Sequence, residues 1–366
     1  MRITFVLPPL SMAGGIKVVA IYARLLTERG HTVHIVSPPA KPLSLREKFR
    51  ALRRGEGWPK IERNAKSHLD GSGLAHRVLA TWRPIDDGDV PNADVVVATW
   101  WETAEWVHAL SRRKGAKVHF VQGHETFPFL PRARVQAAYC LPLHKVTISR
   151  WLVELLQDEY GAAVVDCVPN SVDHAHFHAS PRGKQSRPTV GLLYSRSPFK
   201  GVDASVAALT QVKQVYPGLR LLCFGAERPC AAAPLPDYAE FHELPAREPL
   251  RALYASCDVW LCGSRSEGFH LPPVEAMACR TPVVSTRVGG PIDLIDSGVN
   301  GELVDIDDVA GLANAMLRVL ALPDADWRAL SERACRTVAD YTWEHAADRF
   351  LAALEHARER AAMGEI

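Results

Sequence analysis

Residues 258–278 limit most sharply what this chain can fold into. The apolar run Asp258-Val259-Trp260-Leu261-Cys262 has the length and residue types of a buried strand. A polar turn through Ser264, Arg265, Ser266, Glu267 and Gly268 follows, and then Phe269-His270-Leu271-Pro272-Pro273-Val274-Glu275-Ala276-Met277-Ala278. Proline fixes φ near the helical value and lacks an N–H that a first helical turn leaves unpaired, so Pro272-Pro273 marks a helix start. Strand, turn and helix in that order put unpaired amides and the positive end of a helix dipole at one spot, which favours an anion. Glu267 and Glu275 frame this spot. Carboxylates repel phosphate and suit hydroxyl groups. A nucleotide sugar offers both, a diphosphate for the amides and sugar and ribose hydroxyls for the acids.

The chain has room for two such folds. Its 366 residues exceed what one core comfortably holds. Nearly half are apolar and the net charge is only +2, which excludes a global attraction to nucleic acid. Residues 1–9 are too short an apolar run for a secretory leader and read as a first strand. No apolar stretch approaches the roughly twenty residues that span a bilayer. Eight cysteines without paired CxxC spacing read as buried free thiols in a reducing compartment, so a cytoplasmic protein is expected.

Along the first half, residues 3–7 form a strand, the turn Ser11-Met12-Ala13-Gly14-Gly15 follows, and residues 16–29 form an amphipathic helix that leads to a strand at 32–37. Gly14 and Gly15 stand where a ligand approaches backbone, or where a tight turn touches nothing; the dinucleotide fingerprint GxGxxG is absent. From 41 to 66 the chain is basic, with interleaved Leu45, Phe49, Leu52 and Trp58. It suits either an anionic membrane face or acceptor, or a solvated edge. Strands at 94–99 and 117–121 end in Trp100-Trp101 and in His124-Glu125. Ligands of a doubly wound sheet bind beyond the carboxyl ends of its strands, so these tips are candidates. Trp100 and Trp101 suit a sugar ring or a core cap, and Glu125 an acceptor. A short strand at 146–149 precedes a helix from Arg150 capped by Ser149. Alternating His174, His176 and His178 would share one face of a strand and admit a metal, but they follow a turn, and no metal site is expected.

Residues 180–188 are polar and rich in breakers, a linker to a second strand–helix alternation. The strand at 189–194 runs into Arg196 and then Lys200-Gly201, two cations on one loop. Gly225 ends the next strand, and a short strand at 241–244 brings Leu244 to a tip.

The stretch Glu267-Gly268-Phe269-His270-Leu271-Pro272-Pro273-Val274-Glu275, continued by Thr281-Pro282-Val283-Val284-Ser285-Thr286 and Val288-Gly289-Gly290, resembles the paired-glutamate motif of retaining glycosyltransferases of family 4. The resemblance implies the GT-B fold, with two Rossmann-like doubly wound α/β domains facing across a cleft. The first would cover residues 1–180 and regain 343–366, and the second 181–342. It implies transfer of a sugar from a UDP-, GDP- or dTDP-linked donor to a glycan, lipid-linked or small-molecule acceptor, with retention and no required cofactor or metal. Lys200, Arg196 and the amides of Phe269, His270 and Leu271 would meet the diphosphate. Gly14, Gly15, Gly225 and Leu244 would line the donor, Glu275 would hold the ribose, and Glu267 the donor sugar. His124 would order the reacting face. The chain departs from the family pattern at Ser171, Tyr194-Ser195 and Arg280. Two rival readings are a nucleotide-sugar hydrolase or epimerase of the same fold, and a catalytically silent binding subunit.

Overall fold

A computed structural model describes residues 1–43, 48–49, 52–53 and 66–366. Two compact units emerge. The first comprises Met1–Thr147, Val153–Val168 and Ala347–Ile366, and the second Ile148–Leu152 and Pro169–Ala346. The division after Val168 precedes the junction expected at 180/181.

Among the described residues, the first unit is built on seven parallel strands: β1 (Arg2–Val6), β2 (Thr32–Ser37), β3 (His76–Val78), β4 (Val95–Ala98), β5 (Ala116–Val121), β6 (His144–Thr147) and β7 (Val165–Cys167). Their spatial order is β3-β2-β1-β4-β5-β6-β7. Ile3 pairs with Val33 on one side and Val95 on the other. Central strands such as Val95–Ala98 are buried throughout, which is why they read as unbroken apolar runs rather than alternating ones. Helix Gly14–Glu28 buries Ile16, Val19, Tyr22, Ala23 and Leu26 along one stripe. The Tyr22 ring stacks on Phe350, 4.4 Å between centroids, and Phe120 meets Phe350 edge-on at 5.1 Å. Helix Trp343–Met363 therefore supplies part of this core.

The second unit has six parallel strands: β8 (Thr189–Leu193), β9 (Arg220–Gly225), β10 (Ala239–Glu243), β11 (Val259–Cys262), β12 (Val283–Thr286) and β13 (Gly301–Val304). They run β10-β9-β8-β11-β12-β13, the 3-2-1-4-5-6 order of a Rossmann sheet. The order reverses between β8 and β11, so the crevice at their carboxyl ends is the expected ligand position. Val190, Leu209, Leu221, Leu261, Met316 and Trp327 share its core. The Trp327 indole donates to Asp258 O at 3.0 Å.

Several expectations need correction. Residues 174–177 form a turn, not a strand. His174 bonds Val338 O and His178 meets Arg251, so the three histidines do not converge. Residues 182–185 are not a free linker, because Lys184 Nζ donates to Leu320 O and Leu322 O and the Gln185 amide to Asp258. The Ser149 hydroxyl donates to Gly268 O, and the Arg150 amide is met by Asp293 at 2.8 Å instead. All eight cysteines are free, four of them buried, while Cys140 is exposed. The basic segment 41–66 lies mostly outside the described residues. Among the described residues no helix is long and apolar enough to cross a membrane.

Candidate functional site

In the second unit the tips of β8, β11 and β12 gather the candidate residues. Lys200 Nζ lies 2.7 and 3.0 Å from the two carboxylate oxygens of Glu267, and the Ser264 hydroxyl donates to Glu267 Oε1 at 2.8 Å. Burial works to raise the Glu267 carboxyl, but neighbouring His270, the Lys200 ammonium and these hydrogen bonds outweigh it, and its pKa lies below the ordinary value. His270 Nε2 sits 3.6 Å from Glu267 Oε1. Burial pulls this imidazole down to about 4, so it is neutral near pH 7. Its Nδ1 is buried with no hydrogen-bond partner among the described residues.

Backbone geometry holds this pair. Lys200 is followed by Gly201 at φ 56°, where an added Cβ would fall 1.8 Å from Gly263 O. Only glycine lets these two turns approach so closely. Arg265 fastens the same turns: its guanidinium forks onto Asp203 at 2.9 and 2.7 Å, bonds Pro198 O at 2.8 Å, and reaches Asp307 at 2.7 Å. Thr286 Oγ1 donates to Ser264 O at 2.5 Å. The Gly268 carbonyl receives both the Ser149 hydroxyl and the Trp151 indole, each at 3.0 Å.

Helix Leu271–Ala278 starts one residue ahead of the proline pair, with His270 at the left-handed φ of 73° as its cap. Phe269 is buried, and its carbonyl accepts from Gly290 N at 2.7 Å. Phe269, His270 and Leu271 thus stand at the helix start beside Glu267. Glu275 lies further along the helix, 7% exposed, where Tyr254 donates its hydroxyl to Oε2 at 2.8 Å. Gly225 and Leu244 are neighbours, linked by Leu244 N to Gly225 O at 2.9 Å. Leu244 is exposed at φ 40°. Arg196 is not brought to Lys200. Its guanidinium bonds Arg228 O at 3.0 and 2.7 Å, in the loop after β9.

In the first unit, Gly14 opens helix Gly14–Glu28 with open space beside it, and Gly15 O accepts from Gln122 Nε2 at 3.3 Å. Half-buried His124 has Nε2 2.7 Å from Tyr160 Oη and Nδ1 3.5 Å from Thr126 Oγ1. Burial lowers its pKa below the ordinary value, so the ring is neutral near pH 7. The acceptor assignments of Trp101 and Glu125 do not stand. Trp101 is 2% exposed within the core, with the Arg134 guanidinium 4.9 Å over its ring. Glu125 is buried and accepts the Trp101 amide at 2.9 Å, capping helix Trp101–Ala109. Trp100, the residue before that helix, is only partly buried and packs on the same core.

Sequence reasoning missed the support: Ser264, Arg265, Thr286 and Tyr254. Ser264 and Thr286 stand at or just beyond strand ends, a signal that was readable; Arg265 and Tyr254 act across sequence gaps that no local pattern spans.

Residues 188–322 match the family described as Glycosyl transferases group 1. The D-inositol 3-phosphate glycosyltransferase of Segniliparus rotundus is 31% identical over 208 residues, 51% of this chain and 46% of that protein. The enzyme of the same name from Mycolicibacterium smegmatis is 32% identical over 172 residues, covering 44% and 38%. The matched part thus spans less than half the length of these curated relatives. Solved structures match over nearly the whole chain. Sucrose-phosphate synthase from Thermosynechococcus elongatus superposes with a TM-score of 0.70 at 18% identity, covering 97% of this chain and 99% of that one. Anabaena HepE, described as a complex with UDP and glucose, gives 0.73 at 16% identity, covering 97% and 100%. With two parallel Rossmann-like sheets and these neighbours, the chain has the GT-B fold.

Proposed function

We propose that this chain is a retaining glycosyltransferase that moves a sugar from a nucleoside-diphosphate sugar to a glycan, lipid-linked or small-molecule acceptor. The observation that carries the reading is the Lys200–Glu267 pair beside the start of helix Leu271–Ala278, inside the segment that matches the glycosyl transferase family. A diphosphate competes with Glu267 for the Lys200 ammonium, and the helix start adds amides to the same charge. Glu267, released from Lys200, then accepts from donor-sugar hydroxyls, and Glu275 from the ribose. Gly14, Gly15, Gly225 and Leu244 keep their assignment to the donor; Arg196 joins them on exchanging Arg228 O for the diphosphate.

In the reaction the bond from the anomeric carbon to the phosphate oxygen breaks. The new bond to the acceptor oxygen forms on the same face, and the acceptor's proton passes to the departing phosphate. Lys200 and the amides of residues 269–271 stabilise the charge on that phosphate, which is the main electrostatic task and asks for no metal. Neutral His124 offers a hydrogen bond that orients a hydroxyl at the reacting face.

The donor nucleotide to try first is UDP, because HepE was solved with it. The relatives' names make a phosphorylated polyol the first acceptor to try. The test is nucleotide release from UDP-, GDP- and dTDP-sugars with and without acceptors. Release that depends on an acceptor is expected. Equal release without one turns the reading toward a hydrolase, and absence of calorimetric binding to any nucleotide overturns it. Lys200→Ala should lower kcat on the order of a hundredfold with its melting temperature little changed; normal specific activity in that variant removes Lys200 from the mechanism.

A further inference from the structure

The first unit holds a second cluster of chemistry that the proposed transfer reaction does not use. His144 opens β6, Asp166 lies in the edge strand β7, and His356 projects from helix Trp343–Met363. His144 Nε2 and His356 Nδ1 both converge on the same oxygen, Asp166 Oδ2, at 2.8 and 2.9 Å. The three ligand atoms lie within 4.8 Å of one another. We propose that His144, Asp166 and His356 form a binding site for a divalent transition-metal ion of the zinc class.

Two imidazoles and one carboxylate are a borderline donor set, which zinc, cobalt and nickel accept and calcium or magnesium do not. Zinc–ligand bonds near 2.0–2.2 Å imply ligand atoms about 3.4 Å apart in a tetrahedron. Each imidazole nitrogen is now closer than that to Asp166 Oδ2, so an ion need only lengthen these two separations by roughly half an ångström. Solvent reaches the cluster from one side. The His144 side chain is fully buried, while those of Asp166 and His356 are 29% and 41% exposed. Water can therefore fill the remaining position. The ligands come from three separated stretches of chain, so an ion there would staple the helix to the edge of the sheet.

Arg360 sets the terms. Its NH1 lies 3.2 Å from His144 Nδ1, and arginine can only donate, so without metal the imidazole proton sits on Nε2 and faces Asp166. A metal needs that Nε2 lone pair, so the proton must move to Nδ1, against Arg360. Arg360 also bonds Glu365 at 2.8 Å and has that alternative partner to keep. Its removal should therefore tighten binding.

The test is calorimetric titration of the chelator-stripped full chain with ZnCl2, repeated with CoCl2 and visible absorption. One equivalent should bind and raise the melting temperature. His356→Ala and Asp166→Asn should each weaken binding at least tenfold while remaining folded by circular dichroism, and Arg360→Met should tighten it several-fold. His356 is partly exposed, so its variant is the one least exposed to misfolding. No stoichiometric binding, or binding that survives His356→Ala unchanged, overturns the proposal. So do loss of binding in Arg360→Met and intense near-ultraviolet thiolate-to-cobalt bands, which would place the ion on the free cysteines.

Discussion

Burial and a helix start pull Glu125 in opposite directions. Burial dominates and raises its carboxyl well above the ordinary range, while the Trp101 amide opposes it. A raised acid binds its proton more tightly folded than unfolded. Its contribution to stability is thus complete below the unfolded value, about 4.3, and is lost as pH rises toward the folded one. Glu125→Gln keeps an oxygen for the Trp101 amide and removes that loss. Its stability relative to wild type should grow above about pH 5, by up to ~1.4 kcal/mol per pH unit. Urea unfolding across a pH series measures this, and a pH-independent difference would sink it. The residue also shows how far a single position can be read. The helix start between Glu267 and Glu275 was legible because Pro272-Pro273 marks it. Trp101 and Glu125 were misassigned because a place at a strand tip does not tell which way a side chain turns. The partner of Arg196, Arg228 O, was hidden for a related reason: it lies across the next strand.

At the scale of elements, the two turns that carry Lys200 and Glu267 are held by Arg265 more than by regular structure. The guanidinium is partly exposed, so its pairs add little stability, under about 1 kcal/mol. Their value is positional. Arg265→Ala should raise the donor KM and lower kcat while shifting the melting temperature by only a few degrees. Lysine should not restore activity, because it cannot fork onto Asp203 and bond Pro198 O together. Wild-type kcat/KM in Arg265→Ala would refute the role. Buried strands of both sheets were legible from their apolar runs, which has a simple cause: a parallel strand covered on both faces has no polar side to alternate with. The exceptions are the edge strands β7, whose three residues are half-buried, and β3, whose three residues His76, Arg77 and Val78 are all exposed. An edge strand this short and polar carries no apolar signal. β6 was expected at 146–149 and lies at His144–Thr147, because buried His144 and Lys145 hide its start.

The molecule as a whole consists of units that are not continuous in sequence. The first regains Ala347–Ile366, and Phe350 is fully buried between Tyr22, Phe5 and Phe120. Phe350→Ala should cost about 3–5 kcal/mol. It should lower the melting of the first unit in calorimetry far more than that of the second, and equal shifts in both would contradict this. The discontinuity also has a consequence in time. Domains commonly fold in the order in which they leave the ribosome, at about 5–20 residues per second. Here the first unit waits for its last aromatic ring until all of Pro169–Ala346 has been made, so the second unit is free to fold before the first can finish. During that interval, on the order of ten seconds or more at those rates, the sites of Tyr22 and Phe120 face a half-made core. A chain stalled before residue 350 would therefore present a finished second unit tethered to an unfinished first, the form most in need of a chaperone.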